Sequence, residues 1–534
     1  MALPEEIKGK DIKIYEEYEF KSRNIPIKIY VLKKEGEFTP TYFVSIPNVS
    51  ENTEIILDQI RNEMIKQSSF EIAGMIKAEK GEEFEEEFEK NVQTLIKKYL
   101  PDIEEETLAY LSTYLIQKSI GLGRMEIIMG DPQLEEIAIN NAKEPIWVYH
   151  RKYGWCKSNV FVKSEEETKH YSSTIGRKVD RQITILDPLL DANLKSGDRL
   201  NATLNPISLK GNTITLRKFS SKPWTITDFI KNQTTSVEAA SILWLCIQYE
   251  MSIIIAGGTA SGKTSMLNVV ANFFPPNQRI LSIEDTHELR LPKFLHWLPM
   301  LTRVPNPEGK GGVSMLDLLV NSLRMRPDRI IVGEIRRKKE AEVLFEAIHT
   351  GHSVYATVHA NSAEEAVTRL SSPPIDIPKS MLPAISLVLV QYRNRRTGLR
   401  RTFQIAEVTN DAKAEVLLQF NQETDQVERT SLFESVLKSK SQLDSSVFGS
   451  TLKSTLFNKL KMFTGMSVKQ IIEDLEEKKK VLEWMAILDI NSVDEVGRVM
   501  ATYYTDKETL MESVKKKKPL KWIFLKQFQI IILA

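Results

Sequence analysis

Near the start of the chain, apolar residues fall on alternate positions, at Ile25, Ile27, Ile29 and Val31. The pattern breaks at Glu35-Gly36-Glu37 and resumes near Tyr42. A period of two is the spacing of a half-buried strand, so a small β-meander is expected to about Ser50. From Glu54 the spacing lengthens to that of a helix, through Ile56, Ile60 and Met64. A second helix is expected where Phe84, Phe88, Val92 and Leu95-Ile96 line one face of an acidic stretch, whose glutamates read as a solvated outer face rather than a metal site. Pro101 is expected to open a third helix, carried by Leu108, Leu111 and Leu115 and stopped by Gly121-Leu122-Gly123. Residues 1–124 therefore read as an N-terminal α+β region.

Over residues 125–235 short strands mix with one clear helix. Segments 145–150 and 155–162 flank the turn Lys152-Tyr153-Gly154 as a hairpin, and Ser164-Glu165-Glu166-Glu167 has the form of a capping box opening a helix toward Arg181. Strands are expected from Arg199 to Leu204 and from Thr213 to Arg217, around Lys210-Gly211-Asn212. Over residues 236–431 the pattern becomes the strand-helix-strand alternation of an α/β domain, with strands at Ile253 to Ala256, Arg279 to Ile283, Arg329 to Val332, Val354 to Val358 and Ile385 to Val390. Residues 432–534 read as a helical extension rich in Lys and Glu, ending in Lys515 to Lys518 and an apolar tail from Trp522.

A length of 534 residues exceeds what one hydrophobic core supports, and 42% hydrophobic residues supply several cores. Charged residues reach 27% yet cancel to a formal net charge of +1, so no global pull toward nucleic acid is implied. Cys156 and Cys246 lie far apart and outside any metal or redox spacing, which fits a reducing compartment. No signal peptide and no apolar run long enough to span a bilayer is visible, so a cytoplasmic protein is expected.

Candidate chemistry centres on Gly257-Gly258-Thr259-Ala260-Ser261-Gly262-Lys263-Thr264, a full match to the phosphate-loop pattern G-x-x-x-x-G-K-[ST]. An apolar strand enters it and the helical run from Ser265 to Ala271 leaves it, which is the context such a loop requires. Glycines let backbone N–H groups turn toward an anion, and the helix N-terminus adds its dipole. Lys263 is expected to bridge the β- and γ-phosphates of a nucleoside triphosphate, and the Thr264 hydroxyl to ligate Mg²⁺. Hydrolysis further needs carboxylates near the γ-phosphate. Glu284, Asp285 and Glu288 follow one strand, and Gly333-Glu334 follows another, at the strand ends where ligands of open α/β sheets bind.

In Val332-Gly333-Glu334, glycine occupies the place where the usual second nucleotide motif carries Asp. With the acidic box from Ile283 to Glu288, and with Thr350-Gly351-His352 and Thr357-Val358-His359 downstream, the series resembles the secretion ATPase superfamily, the motors of type II and type IV secretion, type IV pili and archaella. The likeness is strong from Met125 to Val408, and the long N-terminal region, the phrase Trp147-Val148-Tyr149-His150 and the missing zinc tetracysteine look archaeal.

The resemblance implies a RecA-like ATPase core preceded by a PAS-like α+β domain and the N-terminal α+β region. It implies that Glu288 polarises the attacking water, that Glu334 supports Mg²⁺ and the water, and that His359 senses the γ-phosphate. Arg199 and Arg217 would reach the nucleotide of a neighbouring subunit in a homo-hexamer, with Arg324, Arg326 and Arg336 as weaker candidates. The remaining histidines receive no catalytic role. The implied function is a ring ATPase at the inner face of the cell membrane, working on a polytopic membrane platform to assemble or secrete pilin-like subunits. Beside a regulatory nucleotide-binding module without turnover, against which the presence of both Glu288 and Glu334 argues, two alternatives stay open. One is an archaellum motor, less favoured because Ile335 to Ala341 runs one residue longer than that form. The other is a nucleic-acid translocase, disfavoured by the near-neutral charge.

Overall fold

A computed structural model of the chain describes residues 12–46, 49, 51–68, 81–119, 122–179, 181–194, 196–218, 223–305, 309–439 and 453–517. The apolar tail from Trp522 and Lys518 lie outside these, as does the side chain of Phe84. The chain divides into two compact units, residues 1–221 and 222–534.

The first unit is built on a nine-stranded sheet. Its strands are β1 (Ile12–Ser22), β2 (Ile25–Lys34), β3 (Thr41–Ser45), β4 (Leu134–Ile139), β5 (Trp147–His150), β6 (Gly154–Ser158), β7 (Leu189–Asn193), β8 (Arg199–Thr203) and β9 (Thr213–Arg217), in the order β1-β2-β3-β6-β5-β4-β9-β8-β7. The meander and the later strands share this sheet through the parallel pairing of β3 with β6, and Ile25, Ile27 and Ile29 share one core with Val148, Leu200 and Leu216. The position 124/125 thus falls within a single sheet-bearing unit.

Strand β1 was hidden by its glutamates. It is an edge strand whose charged residues face outward, with Glu17 paired to Lys28 at 2.6 Å, a charge pattern suited to a sheet edge. The expected hairpin is present, and one half of the expected capping box forms: the Ser164 hydroxyl accepts the Glu167 N–H, while the Glu167 carboxylate accepts the N–H of Lys163. Helices Glu51–Ser68, Gly81–Tyr99 and Glu105–Ser119 bury Leu57, Ile60, Val92, Ile96, Leu108 and Leu115 together. The expectation for Pro101 is corrected: Pro101 and Asp102 form a turn, and the helix opens at Glu105, whose acidic first turn complements the helix dipole.

The second unit also carries nine strands: β10 (Ile253–Gly257), β11 (Ile280–Glu284), β12 (Trp297–Leu301), β13 (Arg329–Val332), β14 (Ser353–Val358), β15 (Leu387–Arg393), β16 (Arg400–Val408), β17 (Ala414–Asn421) and β18 (Gln426–Arg429). The order is β12-β11-β13-β14-β10-β15-β16-β17-β18, parallel from β12 to β15 and antiparallel beyond. Central strands β10, β11, β13 and β14 are buried along their whole length, as a parallel sheet covered on both faces requires.

Alternate residues of β10 enter opposite cores. Ile253 and Ile255 pack with Trp244, Val270 and Phe273, whereas Ile254 and Ala256 pack with Val332, Phe345 and Val358. The C-terminal helices Thr455–Thr464, Val468–Ile487 and Val493–Thr505 are part of the first of these cores, through Phe457, Leu475, Leu482 and Val499. Among the described residues no helix is long and apolar enough to cross a membrane.

Candidate nucleotide site

Four functional segments leave the same end of the parallel strands. The phosphate loop follows β10, the acidic box follows β11, Gly333-Glu334 follows β13 and His359 follows β14. Because these strands are hydrogen-bonded neighbours in the order β11-β13-β14-β10, residues as far apart in the chain as Lys263 and His359, 96 positions, meet at their carboxyl ends.

The loop's shape depends on two glycines. A Cβ on Gly257 would fall against the Ser261 hydroxyl and 2.6 Å from the carbonyl oxygen of Gln391, so no larger residue fits. Gly262 holds φ at 95°, a left-handed conformation that turns the chain into the helix Lys263–Ala271. No side chain caps that helix, and its first turn contains Thr264. Ser261 is 2% exposed, and its hydroxyl has no hydrogen-bond partner among the described residues. An uncapped helix N-terminus behind a glycine turn, with an orphaned buried hydroxyl, fits a phosphate group. Thr259 and Ala260 form the exposed crest, and the Ala260 carbonyl accepts a hydrogen bond from Arg400 Nε at 3.1 Å.

Lys263 is folded back on its own loop. Its Nζ donates to the carbonyls of Gly257 (2.9 Å) and Gly258 (3.0 Å) and lies 3.2 Å from His359 Nδ1. Burial pulls its pKa below the ordinary lysine value, and the charges of Glu334 and Glu288 oppose that shift. An ammonium group only donates, so His359 Nδ1 must accept, and the ring proton sits on Nε2. That nitrogen lies 3.2 Å from Glu334 Oε1 and donates to it. Burial and the Lys263 charge hold the pKa of His359 below the usual imidazole value, with Glu334 opposing. A neutral imidazole thus connects the loop lysine to the Glu334 carboxylate.

The three carboxylates of the acidic box have different surroundings. Glu284 is buried, and its Oε1 accepts the N–H groups of Glu288 (3.0 Å) and Leu289 (3.1 Å). His287 Nδ1 lies 3.3 Å from Glu284 Oε2, and its ring stacks on Trp297. Glu284 thereby shapes the turn from which Glu288 projects. Asp285 accepts from Thr302 Oγ1 at 2.9 Å and pairs with Arg336 at 2.7 Å. Glu334 is placed by its neighbours' backbone: Gly333 N–H donates to the Ile283 carbonyl, Thr357 Oγ1 donates to the Gly333 carbonyl, and Ile335 N–H donates to the Thr357 carbonyl.

The structure therefore brings Gly257 to Thr264, Glu334 and His359 together, with Glu288 close enough to act on Lys263 electrostatically. Arg199 and Arg217 belong to the first unit, where they face each other across β8 and β9. Arg199 binds Asp191 through Nε (3.1 Å) and a terminal nitrogen (2.7 Å), and Arg217 lies opposite Glu136 of β4. Other histidines lie on the surface or bond to local backbone: His170 and His296 are exposed, His352 Nδ1 lies 3.1 Å from the Ala347 carbonyl, His349 Nδ1 lies 2.7 Å from the Phe345 carbonyl, and buried His150 accepts the Lys152 N–H.

The sequence reading missed Arg400, and it ranked Arg336 among the weak candidates. Arg400 had no local signal, since its partner in the loop is 140 positions away.

Comparison with known proteins bears directly on this site. Residues 180–442 match the family model described as Type II/IV secretion system protein. The uncharacterized protein MJ1287 of Methanocaldococcus jannaschii is 37% identical over 262 residues, 48% of this chain and 89% of that protein. The chain belongs to the type II/IV secretion system protein family.

Two further proteins are similar to this chain. The uncharacterized protein MJ0900 of M. jannaschii is 38% identical over 299 residues, which are 55% of this chain, and the chain spans about half (54%) of the length of that relative. The type IV secretion system protein PtlH of Bordetella pertussis is 29% identical over 301 residues, 50% of this chain and 88% of that protein. The matched family region contains every phosphate-loop residue as well as Glu288, Glu334 and His359.

Proposed function

We propose that this chain is an ATP hydrolase that powers secretion or the assembly of type IV pilin-like filaments. The observation that carries this reading is the connection from Lys263 through His359 to Glu334, because it joins the nucleotide loop to a carboxylate at the place where hydrolysis needs one. Backbone N–H groups of the loop, Lys263 and Thr264 hold the triphosphate. Glu288 orients and polarises the attacking water, and Glu334 supports the water and the ion. Mg²⁺, when bound, neutralises phosphate charge, and Thr264 and Glu334 are the residues that would hold it.

The finer assignments rest on the family resemblance. Residues 236–431 act as a RecA-like core and 125–235 as a PAS-like domain. The chain forms a homo-hexamer in which Arg199 and Arg217 reach a neighbour's nucleotide, and for Arg199 this means exchanging Asp191 for phosphate. The ring works in the cytoplasm against a polytopic membrane platform.

Phosphate release by the Glu288→Gln variant tests this reading. Turnover is expected to fall by about 10²–10⁴-fold while ATP binding persists. Undiminished turnover overturns the water-activating role.

A further inference from the structure

Arg336 stands two residues beyond Glu334, and its guanidinium touches two carboxylates that come from different strands. Its Nε donates to Glu334 Oε2 at 2.9 Å, one terminal nitrogen lies 2.7 Å from the same oxygen, and the other donates to Asp285 Oδ2 at 2.7 Å. Asp285 is held from its other side by Thr302, and Glu334 from its other oxygen by His359. The backbone N–H of Arg336 is itself anchored on Glu340 Oε2 at 3.2 Å.

We propose that Arg336 is a positioning residue for hydrolysis, a planar fork that keeps the acidic box in register with the glutamate motif. This inference rests on the proposed ATPase function. Its physical basis is that Glu288 and Glu334 project from turns after two different strands, β11 and β13, and must converge on one water and one phosphate. Backbone hydrogen bonds tie the strand ends, as from the Gly333 N–H to the Ile283 carbonyl, and what they leave to side chains is the relative setting of the carboxylates on the two turns. Arg336 joins those turns directly, since Asp285 precedes Glu288 by three residues in the turn shaped by Glu284.

The role inferred for this pair is geometric rather than one in folding. Arg336 is 59% exposed along its side chain, and exposed ion pairs contribute little to folding. The gain is geometric: with His359 on one oxygen and Arg336 on the other, the Glu334 carboxylate is held in a single orientation. Lysine reproduces this only in part, because its donors all radiate from one nitrogen, whereas the guanidinium sets Nε and both terminal nitrogens in a fixed plane against the two carboxylates.

The test compares Arg336→Ala, Arg336→Lys, Asp285→Asn, the Arg336→Ala/Asp285→Asn double variant and Glu334→Gln in the full chain. It measures kcat and KM for ATP, the affinity for ATP in the presence of EDTA, and the melting midpoint. Arg336→Ala is expected to lower kcat by about tenfold or more, with KM, nucleotide affinity and melting midpoint little changed. Arg336→Lys recovers only part of the loss, and the double variant falls no further than Arg336→Ala. Three results would overturn the inference: wild-type kcat in Arg336→Ala beside an inactive Glu334→Gln, full recovery by lysine, or multiplicative losses in the double variant. Wild-type turnover in Glu334→Gln is a separate failure, of the ATPase reading itself, and this inference falls with it.

Discussion

His359 Nδ1 lies 3.2 Å from Lys263 Nζ, so the lysine of the phosphate loop is held by a residue 96 positions further along the chain. Lys263 has three donors, and two loop carbonyls and this imidazole take them all. Engaging a phosphate therefore requires Lys263 to give up a partner, and His359 is the one that also contacts Glu334. Nucleotide occupancy and the placement of Glu334 are thereby linked through one side chain.

Replacing His359 with Ala should uncouple them. A hydrogen bond to a charged group contributes roughly 1.5–3 kcal/mol, which corresponds to about a ten- to hundredfold loss in turnover if it is needed only during reaction. Steady-state phosphate release and ATP affinity, measured side by side, check this. The expected result is a large fall in kcat with a small change in affinity.

Gly257→Ala tests the shape of the loop. The added methyl would meet the Gln391 carbonyl at 2.6 Å and the Ser261 hydroxyl, so the loop must move. Overpacking of this kind costs about 1–3 kcal/mol. A lower melting midpoint and loss of nucleotide-dependent thermal stabilisation are expected, measured with and without ATP and Mg²⁺.

The phosphate loop was legible in the sequence because its chemistry is local: eight consecutive residues carry both the turn and the ligands. The order of the four motifs was also legible, because each follows an apolar strand. What could not be read was the division of labour among Glu284, Asp285 and Glu288, which depends on burial. The structure makes Glu284 a buried acceptor of backbone N–H groups and gives Asp285 to Thr302 and Arg336. Arg336 looked like one of several surface arginines, because its second carboxylate is 51 positions away. Strand β1 escaped notice because glutamates on an edge strand mask the apolar period. In the C-terminal helices the periodicity was clear, yet nothing in it revealed that Leu475 and Leu482 share a core with Trp244.

Those helices enclose a buried ion pair. Lys478 is fully buried and donates to Asp474 Oδ1 at 2.6 Å, while Tyr249 and Tyr503 donate to the same carboxylate, each at 2.9 Å. Asp474→Ala leaves the ammonium without its counter-charge, and removing one member of a buried pair costs about 3–5 kcal/mol. Urea unfolding measures the loss. Burial tends to raise the pKa of Asp474, but Lys478 and the two tyrosines outweigh it and hold the group below the ordinary aspartate value. A carboxylate with a depressed folded pKa contributes stability that is complete above its unfolded value, about 3.9, and is lost as pH falls through the folded value. Wild-type stability should therefore decline in acid through this group, and Asp474→Ala should lack that part of the decline.

Cys156 and Cys246 are both fully buried, and burial pushes each thiol up to about 12. A thiolate is the reactive form, so neither should react with a colorimetric thiol reagent near pH 8 in the folded protein. Both should react once the chain is unfolded in guanidinium. Fast reaction of either in the native protein would contradict this burial.

Hydrolysis of ATP at the site joined by Lys263, His359 and Glu334 is checked by single-turnover phosphate release, with wild-type protein and Glu334→Gln at equal nucleotide occupancy. Release by the wild type is expected, with a loss of about a hundredfold or more in the variant while ATP stays bound. Equal rates in the two proteins, or no release by the wild type at full occupancy with Mg²⁺ present, would contradict it.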